Sequence, residues 1–324
     1  MKKVFLLFCT ILCANVLLAQ DQLATLKHND SVSVFYGSNA FVEAYNASTH
    51  GDVITLSDGI FATPPDIQKG ITVRGNGAVA DTARKSIGTY FMQQCRITLV
   101  DPWRFEAEGI YFENMYPRTN THSMKLVKCV VNRVANLYDS RLWDLMAVDC
   151  IFNTGRLGDE FRDHHNTYIN CVLIGTIPTN STCVNCILRG NASYGNNSEF
   201  ENCVIIREGA PITSAFIEQQ VRNSIICGFG GASGVFSTGN IVMSVGNVFE
   251  NWDGNTWSID PEMYRLKSGV TDSIQGLDGT EVGIFGGSMP FDFTPTYNVI
   301  RRCNVANRTT ADGKLSVDIE VVTE

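Results

Sequence analysis

The chain has 324 residues and a formal net charge of −8 at pH 7, and charged residues make up 18% of it. Lysine and arginine form no run anywhere in the sequence, which excludes the clustered positive footprint that a nucleic-acid partner requires. The acidic balance also disfavours direct binding of polyanions, unless a divalent cation such as calcium mediates the contact.

The first twenty residues have the three-part pattern of a secretory signal peptide. The basic start Met1-Lys2-Lys3 precedes an apolar stretch from Val4 to Ala19, and polar residues follow from Gln20. We expect cleavage near Ala19, so that residues 1–20 are removed and the mature protein is exported to the periplasm, the cell surface or the medium. The apolar stretch is shorter than the ~20 residues of a membrane span, and no later segment approaches that length.

A short phrase centred on cysteine recurs along the mature chain and predicts a repeat architecture. The first three copies stand 21 residues apart, two follow at shorter steps, and in a sixth copy serine replaces cysteine. The six copies are Val127–Val131, Val148–Phe152, Ile169–Leu173, Val184–Leu188, Glu201–Ile205 and Arg222–Ile226. We predict related copies upstream at Lys69–Val73 and Glu108–Phe112, and a last one at Gly246–Glu250.

Each phrase is a β-branched or aromatic run bounded by Gly, Asn, Ser or Asp, which is typical of a short strand and lacks the period of a helix. One such strand cannot bury its apolar side alone. If the copies stack, each strand pairs in parallel with its counterpart one coil away at about 4.8 Å. The sequence therefore predicts an all-β fold, a single-stranded right-handed parallel β-helix of about nine or ten coils.

Two columns of equivalent residues are expected along this coil. The first comprises Cys129, Cys150, Cys171, Cys186 and Cys203, which we interpret as small buried hydrophobic residues inside the coil. Nine of the eleven cysteines remain after signal removal, and this odd number favours free thiols, although disulfides between adjacent coils remain sterically conceivable.

The second column precedes the cysteines and comprises Asn170, Asn185, Asn202 and Asn223. Asparagine tolerates the left-handed backbone conformation, and its amide can bond the next asparagine along a stack. These residues therefore form either an asparagine ladder at a turn between two sheets or a row of solvent-facing strand residues.

Three stretches make the chain resemble the right-handed parallel β-helix family, which includes pectate-lyase-like polysaccharide lyases and bacterial surface proteins. The first is the helix-like segment Asn39–Tyr45 followed by Gly51–Gly59, which resembles the capping helix and first coil of that family. The second is the repeat series itself. The third, Asp260–Gly283, resembles the segment that closes such solenoids.

The end of the chain resembles the ends of exported proteins from Bacteroides-type bacteria, on the strength of Gly286–Phe291 and the alternating stretch Leu315–Val321. The resemblance implies a solenoid over residues 21–285, including its N-terminal cap. Residues 286–324 are then a C-terminal β appendage packed on or beside the solenoid. The same scaffold serves lyases, hydrolases, adhesins and structural proteins, so the resemblance implies no activity.

The candidate site lies between residues 139 and 165, the most charged part of the repeat region. Two steps of 21 residues place equivalent polar residues above one another, with His122 and Ser123 one coil earlier. The candidate catalytic residues are Asp139, Glu160, Arg162, His164 and His165, and the candidate substrate-binding residues are Arg141, Trp143, Asp144 and Asp163. Aromatic, guanidinium and carboxylate groups suit a uronate-containing polysaccharide, and a histidine can act as a base. A solvated turn whose charges pair with one another is the alternative interpretation.

Two further motifs invite functional readings. Cys183 and Cys186 form a C-x-x-C pair, but no second pair stands at ligand spacing and Cys186 belongs to the cysteine column, so no metal site is predicted. Trp252 and Trp257 are interpreted as plugging the far end of the coil rather than as exposed sugar platforms.

Two functional hypotheses follow. The first is a non-catalytic, exported or cell-surface β-helix that binds glycans or partner proteins as a monomer. The second is a polysaccharide lyase, assisted by calcium, or a glycoside hydrolase acting from the charged face at residues 139–165. The sequence leaves enzymatic activity undecided between them.

Overall fold

A computed structural model of the chain describes residues 22–83, 86–118, 121–134, 142–153, 165–175, 180–190, 198–207, 221–227, 239–252, 258–296, 299–309 and 315–322. Within this part, the fold is a β-solenoid built on two long sheets of mainly parallel strands, and helices are few and short. The predicted parallel β-solenoid is therefore confirmed. None of the helices in the described ranges has the length and hydropathy needed to cross a membrane.

The first sheet, sheet A, has eleven strands, numbered here in chain order. From one edge to the other they are β2 (Ser31–Tyr36), β1 (Leu23–His28), β3 (Val53–Leu56), β5 (Thr72–Arg74), β7 (Phe105–Glu108), β10 (Met124–Val127), β13 (Met146–Val148), β15 (Asn166–Ile169), β17 (Ser181–Val184), β19 (Glu199–Glu201) and β21 (Val221–Arg222). From β3 onward the neighbours pair in parallel, in the way expected for stacked coils.

The second sheet, sheet B, has ten strands. In spatial order they are β4 (Gly59–Ile60), β6 (Thr89–Ile97), β8 (Tyr111–Pro117), β11 (Val130–Val131), β14 (Ile151–Asn153), β16 (Val172–Gly175), β18 (Ile187–Gly190), β20 (Val204–Arg207), β22 (Ile225–Cys227) and β23 (Ile241–Val242). A short parallel pair, β9 (Thr121–His122) with β12 (Leu142–Trp143), forms a separate small sheet.

The turn from sheet A to sheet B has the same form in coil after coil. One residue with positive φ follows the strand of sheet A, one buried residue follows it, and the strand of sheet B begins. The positive-φ residues, called here the turn column, are Gly109, Lys128, Asp149, Asn170, Asn185, Asn202 and Asn223. A single left-handed residue reverses the course of the chain most easily when it is Gly, Asn or Asp, which explains the composition of the column.

Inside the coil, side chains from both sheets form one apolar core. The inward position of sheet A is occupied in register by Ile54, Val73, Ala107, Leu126, Ala147, Tyr168, Cys183, Phe200 and Val221. Each of these residues is almost fully buried. From Ala107 onward, small and large side chains alternate along this column, so that neighbouring coils pack without steric conflict.

The outward face of sheet B is also apolar and is covered by the C-terminal part of the chain. Its column Val130, Ile151, Val172, Ile187, Val204 and Ile225 is fully buried. These side chains pack in a second core with Val248, Tyr264, Val282, Ile284 and Phe291. The covering segment, residues 258–296, is called here the strap. Because both faces of sheet B are buried, its strands have consecutive apolar residues rather than alternating ones.

The N-terminal end is closed by an antiparallel hairpin and a helix. Strands β1 and β2 pair with each other, and β1 also pairs antiparallel with β3. Helix α1 (Ala40–Ala47) buries Ala40, Phe41, Ala44 and Tyr45 against the coil, and Phe41 stacks on Phe91 at 4.9 Å. The predicted capping helix is confirmed, whereas the hairpin before it was not predicted.

Two predicted repeat copies are wrong in detail. In the upstream copy Lys69–Val73, the strand begins at Thr72 and pairs with Val53, so the turn of that coil falls at Gly75 rather than at Gly70. The last copy, Gly246–Glu250, contains a 3-10 turn at Val245–Asn247 and an antiparallel bridge from Phe249 to Leu266. This segment leads into the part of the chain that covers sheet B instead of adding a coil.

The strap contains a 3-10 turn at Pro261–Tyr264 and the short helix α2 (Ser268–Thr271). After it, β24 (Val299–Thr309) and β25 (Leu315–Val322) form an antiparallel two-stranded sheet of their own.

Candidate functional site

The structure describes part of the charged face predicted at residues 139–165. Strands β9 and β12 pair His122 with Trp143 in parallel register, in agreement with the 21-residue step. Ser123 and Asp144 both have positive φ, and His165 is exposed at the equivalent place one coil later. Asp139, Arg141, Glu160, Arg162, Asp163 and His164 lie outside the described residues. The catalytic assignment therefore stays a prediction.

The five predicted column cysteines lie in successive turns between the sheets and are fully buried. Each follows a residue of the turn column, and the positive φ of that residue tilts the next amide away from the regular ladder. The cysteine sulfur of the following coil accepts a hydrogen bond from this amide. Cys129 N donates to Cys150 Sγ at 3.4 Å, and Cys186 N donates to Cys203 Sγ at 3.4 Å. Each thiol also lies 3.2 Å from the carbonyl oxygen two residues earlier, as in Cys186 to Val184.

The described cysteines are free thiols. Burial raises the pKa of Cys129, Cys150, Cys171 and Cys186 well above the usual range, so these groups stay protonated at neutral pH. A protonated, buried thiol is neither a nucleophile nor a metal ligand. The column is consequently part of the backbone hydrogen-bond network rather than a reactive site.

Cys183 and Cys186 have different structural roles despite their C-x-x-C spacing. Cys183 lies on the inward face of sheet A between Tyr168 and Phe200, whereas Cys186 belongs to the turn. In the part of the chain that the structure describes, no group of three or more His, Cys, Asp or Glu side chains is arranged to hold a metal ion.

The predicted asparagine residues lie at the turn between the sheets, which was one of the two alternatives. The side chains of Asn170, Asn202 and Asn223 bond the strap rather than each other. Asn170 Nδ2 donates to Ile284 O at 2.7 Å and to Gly286 O at 2.9 Å. Asn202 Oδ1 accepts Leu277 N at 2.9 Å. Lower in the column, Lys128 Nζ lies 3.2 Å from Asp292 Oδ2. The turn column is thus the docking line of the strap.

Trp252 packs on the covered part of sheet B. Its ring stacks on Phe249 at 5.3 Å, and the guanidinium of the buried Arg189 lies 4.9 Å from the ring centroid. Trp252 is thus a packing residue, but it lies on the covered outer face of sheet B over β18 rather than at the far end of the coil, where it was predicted. Trp257 lies outside the described residues.

Polar and aromatic side chains occupy sheet B where the strap ends. Tyr90 on β6 and Tyr111 on β8 pair in register, with ring centroids 5.3 Å apart. Glu113 lies on β8, two residues after Tyr111. The equivalent places in the next two coils are occupied by Asn132, after β11, and Asn153, on β14. These five half-buried residues are called here the tyrosine–amide face.

Hydrogen bonds join four of the five members of the face, from Tyr111 to Asn153, in a line. Tyr111 Oη donates to Glu113 Oε2 at 3.1 Å, and Asn132 Nδ2 donates to Glu113 Oε1 at 3.0 Å. Asn153 Nδ2 donates to Asn132 Oδ1 at 2.8 Å. These bonds fix the side chains at the spacing of adjacent strands, so the face is rigid before any ligand arrives.

The electrostatics of the face favour binding over proton transfer. Burial, followed by the negative charge of Glu113, raises the pKa of Tyr111 to about 12. Burial likewise raises the pKa of Tyr90, with a smaller effect from Asp58. Both phenols remain neutral hydrogen-bond donors at physiological pH.

The tyrosine–amide face was missed in the sequence, although a signal for it exists. Asn132 and Asn153 each follow an apolar pair at the end of a repeat copy, and Glu113 follows the pair Tyr111-Phe112. Their 21- and 19-residue spacings are those of the coil. Attention to the residue after each copy would have found the ladder.

Comparison of the chain with protein-family models, with curated proteins and with solved structures finds no match.

Proposed function

We propose that this protein is an exported, non-catalytic glycan-binding β-solenoid whose binding surface is the tyrosine–amide face. The observation that carries the proposal is the hydrogen-bonded line from Tyr111 through Glu113 and Asn132 to Asn153. Carboxylate and amide groups in a row at strand spacing can bond successive hydroxyl groups of an extended polymer. Two neighbouring tyrosine rings provide apolar surface beside them.

The position of the face supports the same function. Further along sheet B, the equivalent outward places are apolar and covered by the strap, from Ile151 and Val172 to Ile225. On the next strand, β16, the position equivalent to Asn153 is occupied by Ile174, so the polar ladder ends at Asn153. The half-buried polar groups are thus confined to the part of the sheet beyond this apolar column, where Tyr111 packs at the margin of the second core and a ligand can reach the face.

The test is a binding screen of the mature chain, starting at Asp21, against neutral and acidic polysaccharides with and without calcium. For the polymer that binds, Tyr90→Ala and Tyr111→Ala should each weaken binding about tenfold or more, since each removes a contact worth ~1–2 kcal/mol. Trp103→Ala is the matched control, because Trp103 is an exposed aromatic residue stacked on His50. Binding that depends on Trp103 and not on the tyrosines would overturn the assignment.

The polysaccharide-lyase hypothesis keeps one supporting observation, the register that pairs His122 with Trp143 in the charged face. It is tested in the same screen by following the formation of unsaturated uronate products. Turnover that is lost in His165→Ala and retained in Tyr111→Ala would replace the binding proposal with an enzyme acting from residues 139–165.

A further inference from the structure

The edge of sheet A at β2 differs from the other ends of the two long sheets. In the described residues, the sheets end at β21, β4 and β23, which have two residues each, and at β2, which has six. Short edge strands, charges and prolines are the usual protection against pairing with another chain. Strand β2 has the sequence Ser-Val-Ser-Val-Phe-Tyr and contains neither a charge nor a proline.

The backbone of β2 is ready to pair on its outer side. Gly37 N donates to Gln22 O at 2.7 Å, and the antiparallel register then makes Phe35, Ser33 and Ser31 the residues bonded to β1. Because the bonding direction alternates along a strand, the N–H and C=O groups of Val32, Val34 and Tyr36 point away from β1.

The side chains of the same three residues form an exposed apolar stripe. Val32 and Tyr36 are each 64% exposed and Val34 is 44% exposed. They alternate with Ser31 and Ser33, so that they share one face of the sheet. Phe35 points to the other side and packs on the core, which fixes the orientation of the strand.

We infer that β2 is a self-association edge, through which a second copy of this chain joins in an antiparallel pair about a twofold axis at Val34. In this register Val34 lies opposite its own copy and Val32 lies opposite Tyr36 of the second copy. The outward-pointing backbone groups of Val32, Val34 and Tyr36 then all form hydrogen bonds to the second copy. The apolar stripe continues across the interface, and no charged side chain of β2 faces another.

Charge supports a second copy as the occupant. Beyond the strand, the same register brings Asp30 of one copy to the level of Ser38 of the other, next to the start of α1. Asn39 makes no side-chain cap there. Ala40 N donates to Gly37 O, and the positive end of the helix dipole favours a carboxylate placed nearby. The sequence had favoured a monomer, but that expectation did not include β2. The inference is independent of glycan binding.

Sedimentation equilibrium of the mature chain over a range of micromolar concentrations tests the inference. The wild type should pass from monomer to dimer. Val34→Lys and Val34→Glu should each weaken association about a hundredfold, because like charges then face each other at the axis. An equimolar mixture of the two variants should restore the dimer, since opposite charges then meet.

Val242→Lys, at an exposed position of the edge strand β23, should leave the dimer intact. A monomeric wild type, a dimer insensitive to both Val34 variants, or a mixture that stays monomeric would each overturn the inference. Restoration in the mixture also shows that the two variants are folded, so loss of association in the separate proteins cannot be attributed to misfolding.

Discussion

At the scale of single residues, the cysteine column illustrates how a buried side chain can serve the backbone. Placing a left-handed residue at every turn leaves the following amide without a carbonyl partner in the next coil. An amide buried without an acceptor costs ~1–3 kcal/mol, and a sulfur atom in the next coil removes that cost. Ser224 continues the column and accepts Cys203 N at 2.9 Å through its hydroxyl. The shared property of the column is therefore an acceptor atom rather than hydrophobicity.

This argument predicts different effects for two substitutions of Cys186. Cys186→Ser should stay within ~1 kcal/mol of the wild type, because the hydroxyl can accept Cys171 N and donate to Val184 O. Cys186→Ala should lose ~1–3 kcal/mol more, since Cys171 N is then buried without an acceptor. Urea unfolding under reducing conditions measures both.

Cys95 is the matched control, because it is fully buried and its thiol makes no hydrogen bond to the described residues. There the order should reverse, with Cys95→Ala more stable than Cys95→Ser. If alanine is better tolerated than serine at both positions, the cysteines are only small hydrophobic residues, as the sequence first suggested.

At the scale of elements, the strap and the turn column depend on each other. The loop at residues 281–286 presents two carbonyl groups to Asn170. A methyl group on Gly286 would lie 1.6 Å from the carbonyl oxygen of Glu281. Since backbone atoms enforce this contact, only glycine permits the loop and hence the docking of the strap at Asn170.

Gly286→Ala should accordingly destabilise the protein by about 2–4 kcal/mol, as expected when a tightly packed site must rearrange. Gly269→Ala is the matched control, since a methyl group there meets nothing within 4 Å and the residue lies in helix α2. That change should be neutral or stabilising by up to ~1 kcal/mol. Equal effects of both substitutions on the urea midpoint would contradict the proposed packing of the loop.

The sequence predicted the elements whose pattern is local. The phrase around Cys129 repeats at the coil period, and Phe41 and Tyr45 mark the capping helix. The strands, their stacking and the cap could therefore all be predicted. The strap was not, because its contacts join residues far apart in sequence, such as Asn170 and Ile284. One sign was available: in pairs such as Ile151-Phe152, only one of the two residues can point into the coil, so the other, Ile151, must face a different apolar surface. The tyrosine–amide face escaped for a related reason, since it is defined by where the strap ends.

At the scale of the whole molecule, the strap ties successive coils together and makes stability depend on pH. Along most of the docking line the groups are neutral, but Lys128, Asp149 and Asp292 bring charges together. Asp149 is 5% exposed and its Oδ1 has no hydrogen-bond partner among the described residues. Burial raises the pKa of Asp149 to about 7; Lys128 opposes this shift, and Asp292 adds to it. The carboxyl group is thus held in a place better suited to a neutral side chain.

The sign of the pH effect follows from linkage. A carboxyl whose pKa is higher in the folded state than in the unfolded state favours folding when protonated, so its contribution is lost as pH rises from about 4 through about 7. Asp278 behaves in the opposite way, because hydrogen bonds from Thr280 lower its pKa. Its contribution is present above its unfolded-state pKa of 3.8 and is lost as pH falls.

Asp149→Asn should therefore stabilise the protein at pH 8, on the order of 2–4 kcal/mol from a shift of this size, and change little at pH 4. The backbone accepts the substitution, since Asp149 and Asn185 have the same φ of 52° and asparagine occupies four other places of the turn column. Asp278→Asn should instead destabilise at pH 8 and be neutral well below pH 4. Thermal or urea unfolding of both variants across this range measures the two slopes. The opposite result would be a wild type whose stability rises from pH 4 to pH 8 and an Asp149→Asn variant with the same stability at pH 8. It would mean that the charged Asp149 carboxylate has a partner, and that deprotonation of Asp149 does not weaken the docking of the strap.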